Sequence, residues 1–79
     1  MHYDIEIKPQ AIKDGKKIPK QHLLRIYKKI ELLADNLQGD VKRLTNHTPN
    51  YRLRVGSYRI LFEIEQDRII ISHRRNIYQ

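Results

Sequence analysis

The chain has 79 residues, with 16 Lys and Arg against 9 Asp and Glu, so its net charge is +7. A chain of this length forms one small domain, and only about 60 % of its unfolded surface can be buried. The absence of cysteine excludes disulfides and thiolate metal sites and is compatible with a reducing cytoplasm. No apolar run has the length of a membrane span or signal peptide, so we expect a cytoplasmic protein.

The positive charge indicates an anionic partner: phosphate, an anionic membrane or an acidic protein. The sequence has no long basic amphipathic helix with an aromatic-rich face, which disfavours the membrane. It also has no cluster of carboxylates and histidines with metal-ligand spacing, so we expect neither a metal nor another cofactor.

The first half of the chain predicts one strand and two helices. Residues 2–7 alternate between polar and apolar side chains, which is typical of a half-buried strand. Pro9 fits the first turn of a short helix that runs to about Lys17. Pro19 opens a longer amphipathic helix that stops near Asn36. Its apolar stripe consists of Leu23, Tyr27, Ile30, Ala34 and Leu37.

The second half predicts a loop over residues 38–50 and then three strands. Strict alternation on both sides of Gly56-Ser57 predicts a hairpin with a two-residue turn, in which the glycine adopts a positive φ. A second tight turn at Gln66-Asp67 leads to a last strand from Arg68 to about Ser72. The order β-α-α-β-β-β predicts one α+β domain over residues 1–79, with the helices on one face of the sheet.

Alternation gives the hairpin one apolar face and one basic face. The basic face collects Arg52, Arg54 and Arg59. Counting through both turns places Arg54 opposite Arg59, and Arg59 opposite Arg74, so arginines from three strands form a row. Facing like charges destabilise a sheet by roughly 0.2–1 kcal/mol per pair, which is tolerated most easily where a polyanion binds. The apolar face collects Tyr51, Leu53, Val55, Tyr58, Ile60, Phe62 and Ile64.

Three segments of the chain also carry a family pattern. They are Lys-Arg-Leu (42–44), Tyr-Arg-Leu-Arg-Val-Gly-Ser-Tyr-Arg (51–59) and His-Arg-Arg-Asn-Ile-Tyr (73–78). Together they resemble the RelE/ParE superfamily of toxins from bacterial type II toxin–antitoxin modules, and the front half is similar too. The resemblance implies a RelE-like domain, with two amino-terminal helices on one side of a twisted antiparallel sheet. It also implies a cognate antitoxin, which we expect to be acidic and amphipathic and to form a hetero-oligomer with the toxin.

The resemblance to the RelE branch implies a ribosome-dependent endoribonuclease that cuts messenger RNA and arrests translation. In such metal-independent cleavage, the ribose 2′-hydroxyl attacks the adjacent phosphorus, and cations stabilise the charge that develops on phosphate. Guanidinium groups suit this role because they grip phosphate oxygens bidentately. By resemblance, the active-site cations are Arg52, Arg54, Arg59 and Arg74, and Tyr78 stacks on a base of the message. The resemblance also implies that the carboxy-terminal arginine is the acid; Arg74 matches that position, with Arg75 as the alternative.

The sequence does not identify the general base. Arg52 and Arg54 stand where relatives often carry lysine, and the very high pKa of an arginine side chain makes it a poor base. Histidine is the residue type whose pKa suits proton transfer near neutral pH, so the candidates are His73 and His47, although the expected register places His73 on the apolar face opposite Ile60. Further substrate-binding residues are expected to be Arg75, Arg43 and Lys42.

Two other functions remain open. The ParE branch shares the fold and inhibits DNA gyrase by binding, and fold alone does not separate the branches. A catalytically weak relative could instead serve as an antitoxin-dependent corepressor at its operator. Leu61 and Ile70 fall on the basic face, where we expect them to be exposed in a groove that a partner covers.

Overall fold

The computed structural model describes residues 1–45 and 50–76, with side chains described as far as Ser72. Two helices pack on one face of a five-stranded sheet of order β1-β5-β4-β3-β2. This confirms the predicted α+β class with both helices near the amino terminus. The elements are β1 (Asp4–Ile7), α1 (Pro9–Gly15), α2 (Lys20–Ala34), β2 (Asp40–Arg43), β3 (Tyr51–Val55), β4 (Tyr58–Glu65) and β5 (Arg68–Asn76).

The sheet is mixed, so the prediction of a fully antiparallel sheet is wrong at one edge. β1 pairs parallel with β5, with Ile5 as the partner of Ile69, while the other three strand pairs are antiparallel. The backbone N–H of Lys8 continues this pairing by donating to the Ile71 carbonyl at 2.9 Å. Alternation predicts that a segment is a strand, but it carries no information about which strand lies beside it.

β2 lies inside the segment that the sequence predicted to be a loop. Its four residues, Asp-Val-Lys-Arg, pair with β3 and form the outer edge of the sheet. Only Val41 packs against the core, so the segment lacks the apolar alternation that would have revealed a strand. Short, charged strands are typical of sheet edges because they discourage pairing with other chains.

The hydrophobic core lies between α2 and the inner strands. Leu33, Leu53, Phe62 and Ile69 are completely buried there, and Tyr51 stacks on Phe62 with ring centroids 5.4 Å apart. Tyr58 also packs against this cluster, so the predicted apolar face of the hairpin is confirmed. The stop signal at Asn36 is confirmed by its positive φ of 64°, which a helix end commonly requires.

The basic face contains buried apolar residues, and here the sequence prediction is wrong. Leu61 and Ile70 were expected to be exposed, but they are only 3 % and 6 % exposed. Both belong to inner strands, which have a neighbouring strand on each side. The β3 partner of Leu61 is Arg52, and long cationic side chains cover apolar surface with their methylene stems. No helix within the described residues has the length and apolar character needed to cross a bilayer.

Candidate nucleic-acid interface

The tip of the β3–β4 hairpin brings two arginines together. Gly56 supplies the turn with a φ of 59°, and the two-residue turn makes Arg54 the direct partner of Arg59, as predicted. Both residues are exposed. Arg54 Nε donates a long hydrogen bond of 3.4 Å to the Gly56 carbonyl. Among residues with described side chains, neither arginine forms an ion pair, so both guanidinium groups are available to an external anion.

Arg52 is more enclosed than this pair. Its Nη1 lies 3.6 Å from Oδ1 of Asp40, and its side chain is only 14 % exposed. Asp40 comes from β2 and is also the backbone partner of Arg54. The strand that the sequence did not predict therefore supplies an acid to one end of the basic face. The ion pair restrains Arg52, whereas Arg54 and Arg59 remain open to solvent.

The register of β5 corrects the predicted arginine row. Phe62 pairs with Ile71 as expected, but a β-bulge between Leu61 and Phe62 shifts the register beyond that point. Ser72 is the extra residue, and its hydroxyl donates to the Leu61 carbonyl at 3.3 Å. Because a bulge offsets every later pair by one residue, counting from the turn fails there.

The backbone partner of Arg59 is Arg75, while Arg74 pairs with Ile60. The predicted pairing of Arg59 with Arg74 is therefore wrong by one position. The observed row is Arg54, Arg59 and Arg75 across three adjacent strands. The expected position of His73 is corrected in the same way, because its backbone partner is Leu61 of the basic face and not Ile60.

The remaining predicted site residues are not all brought together. Lys42 is exposed and pairs with Arg52, at the edge of the basic face. Arg43 is also exposed, but its partner is Tyr51, which packs against the core on the other face. His47 and Tyr78 lie outside the described residues, so their roles remain predictions. In the part of the chain that the structure describes, no group of three or more acidic or histidine side chains could hold a metal ion.

Glu63 is a polar residue of the basic face that the sequence analysis did not single out. It lies two residues beyond Leu61 on β4, so the alternation that places Arg59 on this face could have revealed it. Its Oε1 accepts a hydrogen bond from the Asn50 backbone N–H at 2.9 Å, and the Asn50 carbonyl accepts one from the Leu44 N–H at 2.6 Å. Glu63 thus holds the residue that precedes β3 against the basic face.

Comparisons with known proteins agree with this architecture. The family described as "ParE toxin of type II toxin-antitoxin system, parDE" matches residues 5–78. Toxin RelE3 of Methanocaldococcus jannaschii is 34 % identical in an alignment that covers 85 % of each chain.

Solved structures extend the similarity to three dimensions. The RelB-RelE antitoxin-toxin complex from Methanococcus jannaschii matches with 31 % identity and a TM-score of 0.76, over 90 % of this chain and 88 % of that one. The archaeal RelE-RelB complex from Pyrococcus horikoshii OT3 matches with 25 % identity and a TM-score of 0.78, over 98 % and 97 % of the two chains. With nearly the whole chain matched in sequence and in fold, the protein belongs to the RelE/ParE superfamily and is a RelE-like toxin of a type II toxin–antitoxin system.

Proposed function

We propose that this toxin is a metal-independent endoribonuclease that cuts messenger RNA on the ribosome and thereby arrests translation. The observation that supports the proposal most strongly is the Arg54–Arg59 pair, in which two exposed guanidinium groups face each other and neither forms an ion pair with a described side chain. Such a pair destabilises the sheet, and a bound phosphate would relieve the repulsion. The name RelE carried by the similar toxin supports this branch of the superfamily.

In the proposed reaction, the 2′-oxygen of a ribose forms a bond to the adjacent phosphorus, and the bond from phosphorus to the 5′-oxygen breaks. A base takes the proton of the 2′-hydroxyl, and an acid gives a proton to the leaving 5′-oxygen. The products are a 2′,3′-cyclic phosphate and a 5′-hydroxyl. Arg54 and Arg59 stabilise the negative charge that builds on the non-bridging oxygens.

The roles around this pair are assigned from position and resemblance. Arg75 extends the row opposite Arg59, with Arg74 as its neighbour on the same strand. The resemblance assigns the acid to one arginine of this carboxy-terminal pair, Arg74 or Arg75, and base stacking to Tyr78. His73 and His47 are the candidates for proton transfer from the 2′-hydroxyl. Arg52, restrained by Asp40, contributes positive charge at the edge of the site, where Lys42 lies beside it.

We also infer that the toxin acts in the cytoplasm and is neutralised by a cognate antitoxin. Both archaeal structures that it resembles are complexes of RelE with RelB. The net charge of +7 favours an acidic, amphipathic antitoxin segment, because complementary charge steers and orients association. The two proteins would form a hetero-oligomer in which the antitoxin covers the basic face.

The decisive variant is Arg59→Ala, compared with Lys29→Ala as a control that removes one positive charge from exposed helix surface. We expect wild-type toxin and the control to stop protein synthesis when they are produced without antitoxin. Arg59→Ala should leave synthesis running and keep a native circular dichroism spectrum. Purified toxin should cut a message bound to ribosomes, and a 2′-deoxy nucleotide at the cleavage position should block the cut. Continued arrest by a folded Arg59→Ala protein would contradict the nuclease mechanism.

One observation favours inhibition of DNA gyrase as a second candidate, because the matching family carries the ParE description. Pulse labelling separates the two functions. A nuclease stops protein synthesis first, whereas a gyrase inhibitor stops DNA synthesis first and induces the SOS response. The third candidate, a catalytically weak corepressor, is favoured by the ion pair that restrains Arg52. It predicts no arrest of either process and antitoxin-dependent binding to operator DNA.

A further inference from the structure

A small cavity opens at the tip of the β3–β4 hairpin, on the face opposite the arginine row. Its volume is about 60 Å³, several times what one water molecule needs. The cavity lies between the start of α2 and the hairpin turn, and its lining contains no acidic residue. It is lined by His22, Arg25, Val55, Gly56, Ser57 and Tyr58.

The polar groups of this cavity suit an oxyanion. Arg25 supplies a permanently charged guanidinium fork, His22 an imidazole and Ser57 a hydroxyl, and the last two are half-buried. The His22 ring lies beside the Tyr58 ring, with centroids 6.0 Å apart, so it is supported from the sheet side. Guanidinium, imidazole and hydroxyl groups can all donate hydrogen bonds to phosphate oxygens, and a guanidinium can do so bidentately.

Arg25 also reaches the same turn as the arginine row. Its Nη1 lies 3.6 Å from the position that a Cβ on Gly56 would occupy, while Arg54 Nε approaches the Gly56 carbonyl from the other face. Guanidinium groups therefore flank the hairpin tip on both sides. Arg25 forms no ion pair with any described side chain, so its guanidinium is open to an external anion.

We propose that this cavity binds a backbone phosphate of the same RNA strand that Arg54 and Arg59 hold. This inference rests on the proposed ribonuclease function and adds to it a path for the substrate. The strand passes round the hairpin tip, with one phosphate against the arginine row and a further phosphate against Arg25 and His22. Consecutive phosphates of a single strand can follow such a curve because unpaired RNA is flexible.

The test measures binding of a short, fluorescently labelled 2′-O-methyl RNA, which cannot be cleaved, over a series of salt concentrations. Each neutralised phosphate of a single strand contributes about 0.7 to the slope of log affinity against log salt. We expect Arg25→Ala to lower that slope by about 0.7 and to weaken binding at low salt by about tenfold. Lys29→Ala removes the same charge from the same helix, outside the cavity, and should leave the slope unchanged.

Arg25→Lys tests separately whether the charge or the shape of the Arg25 side chain matters for RNA binding. It keeps the charge but loses the planar fork, so we expect it to restore the slope and only part of the affinity. His22→Gln should weaken binding less than Arg25→Ala. Because Arg25 is exposed, the two Arg25 variants should melt like the wild type, which circular dichroism checks.

The outcomes for the cavity and for the nuclease differ. An Arg25→Ala protein with the wild-type slope, or one that loses antitoxin binding but not RNA binding, overturns the cavity proposal. If Arg59→Ala alone lowers the slope, the cavity proposal is wrong and the nuclease stands. If Arg25→Ala lowers the slope but wild-type toxin does not cut ribosome-bound message, the cavity binds RNA and the nuclease proposal is wrong.

Discussion

Arg54 and Arg59 are direct partners across the β3–β4 hairpin. Facing Cα atoms in an antiparallel pair are about 4.5–5.5 Å apart, so the sheet brings two positive charges close together at an exposed position. The two facing charges do not stabilise the fold, whereas they would stabilise a bound phosphate. Stability and function therefore oppose each other at these two residues.

Arg59→Thr should make the protein more stable while it removes activity. Threonine suits an exposed strand position, and the substitution removes the repulsion with Arg54, so the free energy of unfolding should rise by about 0.2–1 kcal/mol. Urea denaturation at low salt measures the change. The gain should shrink as salt screens the repulsion, and lower stability of the variant at low salt would contradict this account.

Asp40→Asn should increase RNA affinity at little cost to stability. The Asp40 side chain is 60 % exposed and that of Arg52 is 14 % exposed; asparagine keeps an oxygen that can accept from the guanidinium, so we expect a cost of about 1 kcal/mol. The substitution frees Arg52 and adds one net positive charge beside Arg54. Glu65→Gln is a matched control, because Glu65 pairs with Arg68 at 3.4 Å and is 61 % exposed. If both variants bind RNA equally well, Arg52 has no part in binding.

Glu63→Ala should loosen the entry to β3. It removes the acceptor of the Asn50 N–H, and an unsatisfied, partly buried donor costs about 1–3 kcal/mol. Glu63→Gln keeps an acceptor oxygen and should cost much less. Hydrogen exchange at the Asn50 amide, together with urea denaturation, distinguishes the two variants. Equal protection of that amide in both would show that the hydrogen bond contributes little.

Arg75→Ala should reduce cleavage of ribosome-bound message more than Arg74→Ala. The bulge makes Arg75 the partner of Arg59, whereas Arg74 pairs with Ile60. Single-turnover cleavage rates of the two variants, measured against wild type, provide the comparison. A larger loss of cleavage rate in Arg74→Ala would mean that the strand register does not determine which arginine acts as the acid.

Local sequence predicted the fold where turns and alternation determine it. Gly56-Ser57 fixed the pairing of Arg54 with Arg59, and the turn at Gln66-Asp67 fixed that of Glu65 with Arg68. Both pairs lie within a few residues of a two-residue turn, where the register leaves no freedom. The same alternation correctly placed Tyr51 and Tyr58 on the core face.

The errors have physical causes beyond local sequence. Serine is not a residue type that marks a bulge, so the extra residue Ser72 could not be recognised from the sequence. For that reason the predicted row contained Arg74 where the structure has Arg75. β2 has one apolar residue in four and is held by its pairing with β3. Leu61 and Ile70 are buried because they lie in inner strands: Leu61 is opposite Arg52 of β3, and Ile70 is opposite Glu6 of β1, which comes from the other end of the chain. Each of these properties arises only when the sheet assembles.

The bulge in β5 decides which arginine lies opposite Arg59. If Ser72 paired with Leu61 and the bulge were lost, the carboxy-terminal half of β5 would slip by one position and Arg74 would replace Arg75 opposite Arg59. Since residues 74 and 75 are both arginine, the incoming residue would again carry a guanidinium. The doubled arginine thus keeps a positive charge at this position of the third strand in either register.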